Sequence, residues 1–184
     1  MYYPANMYPY QNPYYTNQPQ SHFSGTNGYY PASYDAHRFS MTPPFWGRNQ
    51  TDFGPQPFVV NINDAAKENN TYRTALWTGN HLQVTLMSLQ VGEDIGLEIH
   101  PNIDQFLRIE QGQGIVQMGE SPEKLNFVRQ VFDNSAIMVP AGTWHNVTNT
   151  GNIPLKLYSI YAPPQHPRGT VQVTKAEAMA AEHH

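Results

Sequence analysis

The chain is 184 residues long, carries a formal net charge of −4 and contains no cysteine. That length suits one ordinary domain, the negative balance argues against a nucleic-acid binder held by phosphate contacts, and the missing cysteines rule out disulfides, thiolate ligands and a cysteine nucleophile. No apolar run approaches the ~20 residues of a membrane span, and the opening MYYPANMYPY has neither the basic start nor the apolar core of a secretory signal, so a cytoplasmic protein without membrane or nucleic-acid partners is expected.

Residues 1–57 differ in texture from the rest. They hold nine of the twelve tyrosines and nine of the sixteen prolines but no Leu, Ile or Val. With so little aliphatic surface to offset the entropy of ordering a backbone, this stretch is expected to be a disordered or low-complexity Tyr/Pro/Asn/Gln-rich extension. Such a segment serves as a flexible tail, or as an adhesive that stacks and hydrogen-bonds between chains. In the second case residues 1–57 would engage assembly partners, and the protein would sit in a coat or other protein layer. The end of the segment, Phe45 to Asn49 (FWGRN), is apolar enough to dock on a folded domain.

From Phe58 onward, short β-branched and apolar runs alternate with turn residues. Phe58–Ile62 reads as a strand, and Asn63–Tyr72 as a short helix with Asn63 as its N-cap. Strands are expected at Arg73–Thr78, Leu82–Val91, Gly96–His100, Gln105–Gln111, Ile115–Met118, Leu125–Phe132, Ala136–Val139, Thr143–Val147 and Leu155–Tyr161, separated by Gly- and Asn-rich turns. Many short strands at this spacing indicate an all-β antiparallel sandwich or barrel over 58–173. The final 174–184 reads as a C-terminal helix and tail, with Thr174 as its cap. His183 and His184 are kept out of the site.

Alternation decides which side chains share a face. Glu98 and His100 point the same way on one strand, as do Gln105, Leu107, Ile109 and Gln111 on the next, and the apolar members mark that face as interior. In Thr143–Val147, His145 points inward too. One inward histidine is more often a hydrogen-bonded core residue than a ligand, and an inward glutamate can pair with an arginine. Glu98, His100, Gln105 and His145 converging on one cavity favour a metal site, since an unpaired carboxylate in an apolar interior needs a cation. Tyr161 shares the inward face of its strand and could offer a phenol as a catalytic group. Arg108 and Glu110 point the other way and are expected to form a surface ion pair worth ~1 kcal/mol at most. Trp144 is assigned to the outer face, Met87, Met118 and Met138 to the core, and His166 to a Pro-rich loop at the barrel mouth.

The two stretches GLEIHPNIDQFLRIEQGQG and PAGTWHNVTN resemble the two motifs of the cupin family. The common first motif runs Gly, five residues, His-x-His, three or four residues, Glu, six residues, Gly; the second runs Gly, five residues, Pro-x-Gly, two residues, His, three residues, Asn. Pro140, Gly142, His145 and Asn149 match the second, with Asn134 in place of its first Gly. Counting back from Gly112 puts Gln105 at the Glu position, His100 at the second His and Glu98 at the first. The resemblance covers roughly residues 58–173 and implies a single-domain cupin of the double-stranded β-helix, or jelly-roll, kind. Relatives with Gln at the third position are similar to metal-binding cupins that act as isomerases or cyclases.

The two nitrogens and two oxygens of this set suit a divalent ion such as Mn, Fe or Zn. Glu98 is then a fourth ligand, or a catalytic base beside an ion held by three groups. The preferred expectation is a small metal-dependent, isomerase-like enzyme for a sugar-like or other small polar molecule. A non-haem iron dioxygenase using His100, His145 and Glu98 is the alternative, and a structural, coat-associated cupin assembled through its tail is the third reading. The resemblance also implies a homodimer, since cupins commonly dimerise by adding strands or packing sheets, and an open sheet edge near Phe58 would favour it.

Overall fold

A computed structural model describes residues 52–182, and the structural findings below concern those residues. The elements are α1 (Ile62–Glu68), β1 (Arg73–Thr78), β2 (Gln83–Leu89), β3 (Asp104–Gln111), β4 (Gly114–Gly119), β5 (Phe127–Val131), β6 (Ala136–Val139), β7 (Trp144–Asn149), β8 (Leu155–Ala162), β9 (Val171–Gln172) and α2 (Lys175–Glu182). They build two sheets, one ordered β6-β3-β8-β2-β1-β9 and the other β5-β4-β7. All the strand pairs are antiparallel. The fold is the all-β double-stranded β-helix jelly roll anticipated from the motifs. Residues 1–51, including the segment FWGRN and most of the Tyr/Pro extension, lie outside the described residues.

The register of β2, β8 and β3 stacks the interior in two layers. Leu89 faces Leu155, Met87 faces Leu157, and Leu157 faces Ile109, all essentially buried. With Val116 and Val147 from the second sheet these form the apolar layer, where each buried side chain is worth roughly 1.5–3 kcal/mol. Toward the other end of the same strands, Thr85 faces Ser159, while Gln83 and Gln105 both face Tyr161. That layer is polar and equally buried, so one end of the barrel is set up for packing and the other for chemistry.

Helix α1 covers the outer face of the larger sheet, burying Ala65 and Ala66 against Leu76 and Leu86. Its N-cap is Asn61, whose side chain accepts from the Asp64 N–H, and not Asn63. Asn63 instead lies in the first turn and donates to Glu110 Oε2 at 2.6 Å. The helix stops at Glu68 because Asn69 turns to extended geometry (φ −63°, ψ 127°), well before the expected end at Tyr72. A register shift between Ile109 and Gln111 breaks the alternation of β3 and leaves Glu110 only 2% exposed. Its 3.3 Å ion pair with Arg108 is therefore anchored in the protein and is not the surface pair expected from alternation.

Two expected strands do not form. The edge of β1 is taken by Phe53, whose N–H donates to the Leu76 carbonyl, and by β9. With that edge occupied, Phe58–Ile62 has no strand to join: Phe58 stacks on Phe53 at 4.5 Å and Val59 is 96% exposed. Contacts with the sheets begin before Phe58: Asp52 is buried, accepting from Gly54, Thr78 and Gly169. Gly96–His100 is also irregular, tied to β7 by a single bridge. Met87 and Met118 are core residues, but Met138 is 65% exposed on β6. Asn134, which replaces the motif glycine, adopts φ 68°, a left-handed geometry that asparagine tolerates better than most residues. No helix among the described residues is long and apolar enough to cross a membrane.

Candidate metal centre

The bridge that replaces the expected strand places two of the candidate ligands together. Glu98 N–H donates to the His145 carbonyl (3.1 Å) and His145 N–H to the Glu98 carbonyl (2.9 Å), so the two residues sit directly opposite. The turn before β7, with Gly142 at φ 75°, donates the Gly142 N–H to the His100 carbonyl at 2.8 Å. Asp104 accepts from the Ala141 N–H and holds the same turn against the start of β3. Glu98, His100 and His145 thereby bring one ligand atom each within 4.8 Å of one another. Glu98 Oε1 lies 3.4 Å from His100 Nε2 and 3.3 Å from His145 Nε2.

The proton of His145 can be assigned by chemistry. Its Nδ1 is 2.9 Å from the Thr143 carbonyl, which can only accept, so Nδ1 carries a proton and Nε2 is the nitrogen left to meet a ligand. That Nε2 faces a carboxylate oxygen of Glu98. Glu98 Oε1, His100 Nε2, Gln105 Oε1 and His145 Nε2 are all buried without a hydrogen-bond partner. Each such group costs roughly 1–3 kcal/mol if left so, and a cation among Glu98, His100 and His145 would satisfy three of them at once. Gln105, from β3, donates its amide to Ser159 Oγ at 2.9 Å and leaves its carbonyl oxygen for such a role. The residues therefore fit a metal ion held by nitrogen and oxygen.

The surroundings tune these groups. Burial alone would raise the Glu98 carboxyl, but the imidazoles of His100 and His145 and the charge of Arg73 hold it down, to about 2. It is ionised at neutral pH. Tyr161, 1% exposed, is packed edge-on between His100 (5.7 Å) and His166 (5.1 Å). Burial pushes its phenol up, against the smaller opposing pull of Arg73, so it keeps its proton. His166 is pushed down to about 3 by burial and by Arg73, which makes it a neutral imidazole. It lines a cavity of about 520 Å³ together with Glu98, His100, Thr170, Gln172 and Ala181, a size ordinary for a small-molecule site.

All four expected ligands thus present unpartnered atoms to the polar end of the barrel, and Tyr161 lies beside His100. Trp144 is half-buried on the face of β7 opposite His145. Asn149, the last motif residue, is structural: its amide nitrogen donates to the carbonyls of Leu89, Gln90 and Ile153, and its oxygen accepts from Gly151. Arg73 was not foreseen from the sequence, although an arginine opening an inward-facing strand was a signal available there.

Residues 85–161 match the family described as "Cupin domain". A Bacillus subtilis (strain 168) protein, YrkC, is 77% identical over 131 residues, covering 71% of this chain and 70% of its own length. A protein of Acanthamoeba polyphaga mimivirus is 40% identical over 124 residues, covering 67% of this chain and 76% of its own. A Bacillus halodurans protein of known crystal structure is similar at 71% identity with a TM-score of 0.70, over 71% of this chain and 99% of that one.

Proposed function

The chain belongs to the cupin family, and on that premise we propose that it is a small metal-dependent enzyme whose Glu98, His100, Gln105 and His145 hold one divalent cation beside a small polar substrate. The observation that carries this reading is the convergence of Glu98, His100 and His145, each with a buried, unpartnered ligand atom within 4.8 Å of the others. Two imidazoles and two oxygen donors suit Mn, Fe or Zn. When bound, such an ion supplies Lewis acidity that favours negative charge on a substrate carbonyl oxygen.

The protein's own groups are consistent with isomerase-type proton transfer. Glu98 is ionised, the form needed either to hold a cation or to accept a proton from carbon next to a carbonyl. Its low basicity weights it toward ligation. Tyr161 retains its proton in the same layer and can donate. The buried walls exclude bulk water and strengthen these interactions. The cluster of two histidines and one carboxylate is also the ligand chemistry of oxygen-activating iron sites, which keeps a non-haem iron dioxygenase as the second reading.

Elemental analysis of purified protein tests the metal centre. About one metal per chain is expected, with loss in His100→Ala and His145→Ala; less than about a tenth, unrestored by soaking in Mn, Fe or Zn salts, rejects it. With the ion in place, deuterium exchange from solvent into carbonyl-containing sugars without oxygen uptake supports the isomerase. Substrate-dependent oxygen uptake replaces it with the dioxygenase.

A further inference from the structure

Arg73 begins β1 opposite Met87 of β2 and Gln172 of β9, and only 1% of it is exposed. Among the described residues no carboxylate lies within ion-pair distance of its guanidinium, and its Nε has no partner. A buried cation without a counter-charge is costly, and arginine cannot relieve the cost by losing its proton. Its charge reaches Glu98, Tyr161 and His166 across the interior. Once Glu98 serves a bound cation, the polar layer carries an excess of positive charge.

Among the described residues, the one side-chain hydrogen bond of Arg73 directs that charge to the cavity. Its Nη1 donates to Gln172 Oε1 at 3.0 Å. A guanidinium has only donors, so the oxygen end of the Gln172 amide must face it and the NH2 end remains free to donate. Gln172 lines the cavity, and so does His166, whose Nε2 is buried without a partner. Building on the metal centre proposed above, we infer that Gln172 and His166, backed by Arg73, form an anion subsite that binds the carboxylate of a small organic acid beside Glu98, His100 and His145.

The free NH2 of Gln172 and His166 Nε2, with the imidazole proton on Nε2, would match the two oxygens of a carboxylate. Arg73 acts through Gln172 as a positioning residue, polarising its amide and supplying the countercharge. The substrate class is thereby narrowed from small polar molecules in general to small carboxylic acids.

Calorimetric titration of the full-length, Mn-loaded protein with malonate and with malonamide, its uncharged counterpart, tests the assignment. Malonate should bind at least about tenfold more tightly, and Arg73→Met should remove that preference while Arg73→Lys, which keeps the charge, restores it to within about threefold. Malonamide affinity should be the same in all three proteins, which a collapse of the site would not allow. Equal binding of the two probes by the unmodified protein, or unchanged malonate affinity in Arg73→Met, overturns the subsite. Inorganic phosphate binding more tightly than malonate overturns its assignment to carboxylates. Repeating the titrations after chelator treatment, with metal content measured on each sample, separates the two proposals. An Arg73-dependent preference in a chain that takes up no metal keeps the subsite and rejects the metal centre; about one metal per chain without the preference does the reverse.

Discussion

At the scale of single residues, the Thr143 carbonyl sets the chemistry of His145. By engaging Nδ1 it fixes the ring so that Nε2 points at Glu98. Glu98 is the charged member of the same cluster, and Glu98→Gln preserves its shape while removing its charge. We expect affinity for the divalent ion to fall at least about tenfold with circular dichroism unchanged, as measured by competition with a chelator. Asp52 makes a second prediction, away from the site. Burial acts to raise its carboxyl, but hydrogen bonds from the Thr78 side chain and from the backbone of Gly169, Gly54 and Thr78 hold it below the ordinary value of 3.8. A depressed carboxyl adds stability that is present above the unfolded value and lost as pH falls through the folded one. Asp52→Asn should therefore cost about 2 kcal/mol in urea denaturation at pH 7, and the difference should shrink as the pH is lowered below 3.8.

At the scale of elements, caps and turns hold the sheets in register. Asn61→Ala should cost about 1 kcal/mol in denaturation with metal binding intact, because Asn61 caps α1 on the outer face of the sheet. Asn149→Ala should cost more, about 2–3 kcal/mol, since it strips partners from the carbonyls of Leu89, Gln90 and Ile153 at once. The elements legible in the sequence were those whose alternation matched their burial. Arg73–Thr78 and Ala136–Val139 coincide with the expected strands, and the other matched strands differ at their ends only. Phe58–Ile62 misled because its apolar residues cover a sheet from outside instead of extending it. Glu98 and His100 were identified for a partly wrong reason: their segment is no strand, and a bridge to His145 places Glu98 while the Gly142 N–H holds His100. Arg73, Gln172 and His166 were invisible as a group because Arg73 meets Gln172 through the pairing of β1 with β9, a two-residue strand too short to leave a pattern, while the Gln83 side chain holds His166 by its backbone.

At the scale of the whole molecule, the layered interior separates stability from function. The apolar layer would hold the barrel closed if the polar layer were altered, which is why substitutions among the ligands are expected to leave a folded protein. Ion binding adds to that stability by mass action, about 2.7 kcal/mol at a hundredfold excess over Kd. Thermal melts with and without chelator should show the difference, and His145→Ala should abolish it. The four candidate ligands are also divided between the sheets. Gln105 belongs to β3 of the wide sheet, whereas His145 belongs to β7 of the narrow one, and Glu98 is tied to the latter by its bridge. An ion shared among them would act as a clasp across the seam. Loading should then slow amide hydrogen exchange in the three strands of the narrow sheet more than in the distant edge of the wide one, so that the protein's breathing becomes a gauge of its metal.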